Sequence, residues 1–368
     1  MSIFDNKHEE VIGRRCGEAM GCFHSVDENK PCGETDYCEG CTLRQSIVEA
    51  LVEKVPVVKA RLTRKFMYKD GYELKHLEFS TRHLNFQGDQ MIAVIIYDIT
   101  EMENQRAAVA ERNRLIETDL QSAAVIQQSL LPKSCGFLPG TRFSYRFKPC
   151  DAVGGDIFHI FPLPRGKVGM YMLDVSGHGI PAAMVTVCVH QRMLPLTGLV
   201  ADLSQSPPRV LPPEEVLDAL DREFPFERFE TFFTICYAVL DPAAGFLSCS
   251  NAAHPPPVLV YPGGEIAVLE KSGGIIGLDR VSTFDQNDTS MPPGSRLFMA
   301  TDGILEHGHD FIEKFGFQRY VDSIQKSARL SLDEQLDAVM TDVENFAAGL
   351  KPRDDMTLFG LEYEGDSA

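Results

Sequence analysis

The sequence predicts an α+β fold in which largely antiparallel sheets carry helices on their outer faces. From Pro132 onward, segments with strand character follow one another through short turns, which favours antiparallel pairing. Three segments with helical character interrupt the strands and are expected outside the sheets. A chain of 368 residues with 44% hydrophobic residues is long enough for two or three domains.

Each element after Pro132 is predicted from its own pattern. Strand segments are short runs rich in β-branched and aromatic residues, and helix segments repeat apolar residues every three or four positions. The predicted strands are FSYRFKP, GDIFHIFPL, KVGMYMLDV, FFTICYAVLD, FLSCSNA, PVLVY, EIAVLE, SRLFMATD and DMTLFGLEY. The predicted helices are PAAMVTVCVHQRML, PEEVLDALDREF and LDEQLDAVMTDVENFAAG.

The chain is expected to divide into residues 1–100, a linker at 101–131 and a larger domain at 132–365. The first zone contains a cysteine cluster and then the strand segments VVKARLTRKF, ELKHLEFSTRHLNF and MIAVIIYDIT. Short turns at KDG (69–71) and QGD (87–89) separate these strands, which predicts antiparallel hairpins.

The linker contains no Gly or Pro and is rich in charge, which predicts one long amphipathic helix. Apolar residues recur every seven positions, at Met102, Val109, Ile116, Ala123 and Leu130. The alternate core positions Gln105, Arg112 and Asp119 are polar. The stripe therefore fits a helix packed on its own domain as well as the seam of a homodimer.

The formal net charge of −18, from 53 acidic and 35 basic residues, argues against a general nucleic-acid or anionic-membrane surface. The sequence contains no run of 18 apolar residues, so no transmembrane helix is predicted. The first residues, MSIFDNKHEE, lack the basic and apolar regions of a signal peptide. We therefore expect a cytoplasmic protein.

Two aspartates are predicted to face each other across a hairpin. The segment GDIFHIFPLPRGKVGMYMLDV has its turn centre near Arg165–Gly166, so residues whose numbers sum to about 330 lie opposite each other. Asp156 and Asp174 meet that condition. Directly opposed side chains have Cβ atoms about 4.5–5.5 Å apart. Two carboxylates that close repel each other unless a cation lies between them.

A second acidic pair is expected at the same kind of strand end. Asp302 ends the strand SRLFMATD, and Asp354 and Asp355 open the strand DMTLFGLEY. Carboxylates supplemented by carbonyl groups and waters suit hard octahedral cations such as Mg²⁺ or Mn²⁺. Two such ions about 3.5–4 Å apart are the usual apparatus for in-line attack on phosphorus.

Seven short motifs occur in a fixed order between residues 120 and 365. They are AAVIQQSLLP (123–132), VGGDIFHIF (153–161), DVSGHGIPAAM (174–184), NAAHPPPVL (251–259), IIGL (275–278), ATDGILE (300–306) and DDMTL (354–358). Together they resemble the SpoIIE family, the bacterial branch of the metal-dependent (type 2C) protein phosphatases, which controls sigma-factor regulators.

The resemblance implies an αββα sandwich, in which two stacked antiparallel sheets are flanked by helices. It also implies two bound Mn²⁺ or Mg²⁺ ions and hydrolysis of phosphoserine or phosphothreonine on a partner, expected to be an anti-sigma-factor antagonist. The matching site residues are Asp156, Asp174, the carbonyl group of Val175, Asp302 and Asp354, with Asp355 in a supporting position. Ser176 and His178 are expected to support the turn rather than react. The alternative is a catalytically inactive docking protein of the same fold, against which the retained acids argue.

Two positions depart from the family pattern. His159 stands where the family commonly has a second acid, and its offset of three from Asp156 places it on the opposite strand face. Ala253 stands where the family's usual AGH motif has glycine, and we expect this replacement to tighten the turn. We expect His254, the next residue, to be structural.

Five of the ten cysteines lie close together in the sequence. They are Cys16, Cys22, Cys32, Cys38 and Cys41, spaced C-x5-C-x9-C-x5-C-x2-C. Four thiolates would complete a Zn²⁺ site or hold an iron–sulfur cluster, and a reduced, metal-free cluster is the alternative. The strands that follow, ending in VIIYDITEMENQ, resemble the end of a PAS sensor domain. This implies a smaller PAS-like α+β domain whose metal or redox state regulates the phosphatase.

Overall fold

The computed structural model describes most of the chain, as two compact units. The described residues are 11–68, 71–132, 136–138, 140–177, 179–196, 199–278, 283–309 and 313–365. His178 and part of the predicted turn at 69–71 lie outside them. The units are Met1–Ile116 and Glu117–Ala368, and the boundary lies inside a long helix.

A three-stranded antiparallel sheet forms the centre of the first unit. The elements are α1 (Cys16–Met20), α2 (Phe23–Asp27), α3 (Thr42–Val52), β1 (Val57–Tyr68), β2 (Gly71–Phe86) and β3 (Asp89–Asp98). The strand order is β1–β2–β3. Gln87 and Gly88 have φ values of 54° and 94°, as the predicted hairpin turn requires. Helix α3 contacts the sheet, and Phe66, Leu77 and Phe79 belong to the core of the unit.

Helix α4 (Thr100–Gln128) is the predicted long helix, and it crosses the boundary between the units. None of its residues is buried, and the apolar side chains of Val109 and Ile116 are exposed. The stripe is therefore exposed at Val109 and Ile116, whereas Leu130, at its end, packs against a core of the second unit. Within the described residues, no helix combines the length and the apolar character needed to cross a bilayer.

Two antiparallel sheets form the second unit. The first sheet contains β6 (Ile157–Pro162), β7 (Val168–Val175), β10 (Phe233–Asp241), β11 (Phe246–Ala252) and β14 (Gln286–Ser290), in the order β14–β11–β10–β7–β6. The second contains β4 (Gly136–Leu138), β5 (Thr141–Lys148), β12 (Val258–Val260), β13 (Ile266–Val268), β15 (Arg296–Ala300) and β16 (Met356–Tyr363), in the order β13–β12–β15–β16–β5–β4. The short strands β8 (Ala201–Asp202) and β9 (Arg209–Val210) pair separately.

Helices cover the outer face of each sheet. They are α5 (Ile180–Arg192), α6 (Pro213–Glu223), α7 (Phe226–Phe229), α8 (Asp302–Leu305), α9 (Gly316–Lys326) and α10 (Leu332–Phe346). Residues of α5 and α6 join the core on one face of the first sheet, and residues of α9 and α10 join the core of the second. The predicted α+β class and the αββα sandwich are confirmed.

Strand β7 contributes side chains to two separate cores. Tyr171 and Leu173 pack with the helices, whereas Met170 and Met172 share a core with Phe359 of the second sheet. Burial on both faces explains why this strand reads as a nearly continuous apolar run. The inner face of the same strand also carries Asp174 at its end.

Candidate metal centre

The β6–β7 hairpin has the register that places Asp156 beside Asp174. Ile157 pairs with Leu173, so the numbers of opposed residues sum to 330 as predicted. The turn between the two paired strands contains Arg165, whose φ is 63°. Asp156 immediately precedes β6, and it lies on the same strand face as the residues between the two sheets.

The second acidic pair approaches from the other sheet. Ala300 of β15 pairs with Leu358 of β16, so Asp302, at the start of α8, adjoins the residues that precede β16. Those residues are Asp354 and Asp355. One strand pair from each sheet thus brings its acids to a common edge of the sandwich.

Direct hydrogen bonds connect the two halves of this edge. The Thr357 hydroxyl donates to Asp156 Oδ2 at 2.6 Å, which joins the second sheet to the first. Asp355 Oδ1 accepts from the Cys150 backbone N–H at 2.9 Å. The Asp355 N–H donates to Asp354 Oδ1 at 2.8 Å. The carboxylates are therefore held by the fold before any ligand binds.

Burial and mutual repulsion together set the electrostatics of the site, and burial is the larger cause. Burial, together with the Asp174 charge, raises the pKa of Asp156 well above its usual range. Burial raises the pKa of Asp174 to about 8, and the charges of Asp302 and Asp354 add to the effect. The pKa of Asp302 is raised by burial and by the charges of Asp354 and Glu306. The carboxyl groups of Asp174 and Asp302 are also within hydrogen-bonding reach of each other. A divalent cation would relieve this repulsion.

The donors present fit Mg²⁺ or Mn²⁺. Asp355 is 2% exposed, and its Oδ2 is buried without a hydrogen-bond partner. Gly154 leaves room for that carboxylate, because a Cβ there would overlap it. A Cβ on Gly155 would lie 2.6 Å from the carbonyl oxygen of Val175, so glycine keeps this oxygen accessible. These are hard oxygen donors of the kind that both ions prefer.

In the part of the chain that the structure describes, no three His, Cys, Asp or Glu side chains are grouped as a cage that could hold a metal ion. Mg²⁺ does not need such a cage, because it commonly binds through one or two carboxylates and keeps several waters. The acidic edge is defined by the carboxylates that the two sheets bring together. Its members are Asp156, Asp174, Asp302, Asp354 and Asp355.

Sequence reasoning gave Gln127 no role, although the structure attaches it to the site. The side chain, near the end of α4, donates from Nε2 to the Gly154 carbonyl at 2.7 Å. Its Oε1 accepts from the Gly154 N–H at 3.1 Å. Both polar groups of one glycine are thus bonded to one side chain, and that glycine packs against Asp355. A glutamine in a polar helix gave no signal of this contact.

His159 lies away from the acids, as its offset from Asp156 predicts. Its ring packs in edge-to-face contact with His190 of α5, with ring centroids 5.0 Å apart. Burial, with the nearby His190 charge, lowers the pKa of His159 to about 4. A neutral imidazole on the helix-facing side of the sheet takes no direct part in the acidic edge.

The turn at Ala253 and His254 contacts the strand that pairs with Asp174. Ala253 has a φ of 53°, a left-handed conformation that costs about 1–2 kcal/mol for a residue with a Cβ. His254 Nδ1 lies 2.9 Å from the Thr234 hydroxyl, and Thr234 pairs directly with Asp174. Burial lowers the pKa of His254 to about 3. This placement agrees with a structural histidine.

The turn that follows Asp174 is fixed by backbone and hydroxyl contacts. The Ser176 N–H donates to the Phe232 carbonyl at 2.9 Å, and its hydroxyl lies 3.1 Å from that of Thr231. Ser176 is therefore engaged in holding the turn. His178 lies outside the described residues.

The five clustered cysteines come together in the first unit. All five line one cavity of about 280 Å³, and all are free thiols. Burial raises the pKa of Cys16 to about 11, with Cys32, Cys41 and Cys22 adding to the effect as neighbours. The scattered cysteines differ among themselves. Cys236 and Cys249 are buried, whereas Cys188 is exposed on α5.

Comparison with known proteins relates the second unit to phosphatases. The family model described as Stage II sporulation protein E (SpoIIE) matches residues 164–364. Phosphoserine phosphatase RsbP of Bacillus subtilis (strain 168) is 26% identical over 165 residues, 44% of this chain and 38% of that protein. Protein IcfG of Synechocystis sp. (strain ATCC 27184 / PCC 6803 / Kazusa) is 24% identical over 269 residues, 68% of this chain and 42% of that protein. The chain thus spans about four tenths of the length of these relatives.

Solved structures show the same fold. The SiaA-PP2C domain of Pseudomonas aeruginosa has a TM-score of 0.57 at 21% identity, covering 69% of this chain and 99% of that one. The RsbU and RsbW domains of Rv1364c from Mycobacterium tuberculosis give a TM-score of 0.50 at 22% identity, covering 63% of this chain and 62% of that one. The family match includes Asp174, Asp302 and Asp354 and begins after Asp156.

Proposed function

The chain belongs to the SpoIIE family, and from that membership and its acidic edge we propose that it is a metal-dependent protein serine/threonine phosphatase. Its substrate is phosphoserine or phosphothreonine on a partner protein. The observation that carries the proposal is the meeting of five carboxylates from two sheets, several of them with raised pKa values. Carboxylates that repel one another in the absence of cations are expected at a site where metal ions take part in a reaction.

Two Mn²⁺ or Mg²⁺ ions would be held by Asp156, Asp174, Asp302, Asp354 and Asp355, with the Val175 carbonyl as a backbone ligand. When bound, such ions lower the pKa of a bound water and stabilise charge on the phosphoryl oxygens.

The chain's own groups prepare that site. Thr357 fixes the orientation of Asp156, and the glycines before Asp156 keep the backbone close to the carboxylates. The Ser176 hydroxyl contacts Thr231 and is assigned to the turn, and the proposed reaction uses no covalent enzyme intermediate.

Phosphate release by the full chain tests the proposal. The substrate is a phosphoserine peptide, assayed with Mn²⁺, with excess chelator, and with a phosphotyrosine peptide as the matched control. We expect hydrolysis of the phosphoserine peptide that requires the metal. Bound Mn²⁺ without turnover of any phosphoserine substrate would contradict the proposal and favour the alternative, an inactive docking protein of the same fold.

The proposed partner is a phosphorylated anti-sigma-factor antagonist. The family resemblance supports this partner class, and the relative RsbP is a phosphoserine phosphatase. A purified antagonist in its phosphorylated form should be dephosphorylated faster than an unrelated phosphopeptide. Equal rates on both would count against this partner class.

The first unit is proposed as a PAS-like sensor that acts through α4. In support, α4 is continuous from Thr100 to Gln128, and Gln127 bonds the backbone of Gly154. Removal of residues 1–110 should change phosphatase activity or its response to oxidants and reductants. Unchanged activity and an unchanged redox response would contradict this role.

A second copy of the chain is the proposed occupant of the exposed stripe on α4. The stripe supplies one of the two apolar positions in each heptad of a coiled coil, and Val109 and Ile116 are 58% and 48% exposed. Sedimentation of the full chain should show a dimer, and a monomer at micromolar concentration would contradict it.

A further inference from the structure

The cysteine cavity lies in the first unit, apart from the residues of the acidic edge. Its thiols come from separate segments between Cys16 and Cys41, with α1, α2 and a 3₁₀ turn among them. Ordering these segments around one space costs conformational entropy. A bound group that offsets this cost would explain why five thiols line the same cavity. All five are free, so they are not spent on disulfides.

The cavity is much larger than a single zinc ion needs. A tetrahedral zinc site has Zn–S distances of about 2.3 Å, which brings its four sulfurs to about 3.8 Å from one another and leaves no space between them. This cavity measures about 280 Å³, and about 10–15 Å³ by the same kind of measure holds a water. Across the described residues, moreover, no three such side chains have the geometry of a one-ion site. The sulfurs line a space for a larger inorganic group.

The surroundings of the sulfurs are those of cluster ligands. The Gly33 N–H donates to Cys38 Sγ at 3.1 Å, and the Thr35 hydroxyl lies 3.1 Å from the same sulfur. A Cβ on Gly17 would lie 2.7 Å from Cys32 Sγ, so glycine makes room for that sulfur. Hydrogen bonds to sulfur are among the features that set the properties of iron–sulfur centres.

Charge and polarity point the same way. A cluster held by four thiolates is anionic, and Arg44 and Arg64 line the cavity beside the cysteines. The remaining wall includes the buried apolar residues Met20, Leu43 and Phe66. An anionic group matches a lining that combines guanidinium groups with apolar side chains.

We propose that the first unit binds an iron–sulfur cluster. Cys32, Cys38 and Cys41 supply three thiolate ligands, and Cys16 or Cys22 supplies the fourth. The proposal concerns a site that the phosphatase reaction does not use, so either can fail without the other.

The test measures iron, acid-labile sulfide and zinc in the full chain, purified without oxygen from cells supplied with iron. We expect iron and sulfide in equal amounts, with visible absorption that bleaches on reduction. Cys38→Ser and Cys41→Ser should each retain less than roughly a tenth of both elements, since a cluster normally needs all four protein ligands. Cys188→Ser, which changes an exposed thiol of the second unit, is the control and should keep both.

Three outcomes would overturn the proposal. They are one zinc per chain without sulfide, a wild-type chain with neither iron nor zinc, and full retention of iron and sulfide in both serine variants. Circular dichroism of the variants separates loss of ligand from loss of fold. The iron-to-sulfide ratio of the wild type decides the question even where a variant does not fold.

Discussion

Asp174→Asn and Asp302→Asn are each expected to lower kcat for Mn²⁺-dependent hydrolysis of a phosphoserine peptide by at least about a thousandfold. Metal ions contribute several kcal/mol of transition-state stabilisation, and each 1.36 kcal/mol is a factor of ten in rate. Asparagine keeps the shape of the side chain but removes the charge that offsets a cation. Steady-state kinetics and Mn²⁺ titration by calorimetry measure the two effects together.

The matched control for these variants is Asp288→Asn. Asp288 is exposed on β14, the edge strand of the same sheet, and it pairs with Ser248 of β11. We expect the control to keep wild-type kcat and Mn²⁺ affinity. Either site variant retaining more than roughly a tenth of the activity would show that the acidic edge is not the catalytic metal site, since loss of one ligand should remove most of the effect.

The metal-free protein is expected to lose stability as the pH rises from about 4 to about 8. Asp174 has a pKa of about 8 in the folded state against about 3.9 when unfolded. Over this window the folded state binds more protons than the unfolded state, so the free energy of unfolding falls with rising pH. Asp156 and Asp302, whose pKa values are also raised, act in the same direction. The loss amounts to several kcal/mol, at about 1.4 kcal/mol per pKa unit.

Urea unfolding in the presence of chelator measures this effect across the pH window. Asp174→Asn should flatten the dependence and be more stable than the wild type near pH 8, because it removes one of the repelling charges. Added Mn²⁺ should restore wild-type stability at high pH and do little for the variant. A wild-type protein equally stable at pH 5 and pH 8 without metal would refute the repulsion argument.

The sequence was sufficient for the parts of the site that local geometry determines. A turn centred on Arg165–Gly166 determines the register of its hairpin, and that register places Asp156 beside Asp174. The same holds for Asp302, since it ends a strand that pairs with the strand after Asp354. Alternation and strand pairing are short-range rules, and they transfer directly from sequence to structure.

Long-range contacts were not predictable in this way. The partner of Gln127 is the backbone of Gly154, and a backbone group leaves no mark in the sequence. Strand β14, with the polar sequence QNDTS, pairs at a sheet edge and lacks the β-branched pattern of a strand. Helix α9 is different, because its apolar residues show helical spacing in the sequence. Tyr320 and Ile324 are four residues apart, and both are buried.

The hydrogen bond between Thr357 and Asp156 spans 201 residues of chain, and the one between Asp355 and Cys150 spans 205. Contacts so distant in sequence form late, because the entropy of closing the intervening loop must be overcome first. During synthesis, the acidic edge therefore cannot assemble until residues 354–357 have left the ribosome. A nascent chain would lack the proposed phosphatase site, and Mn²⁺ binding would report that both sheets have joined.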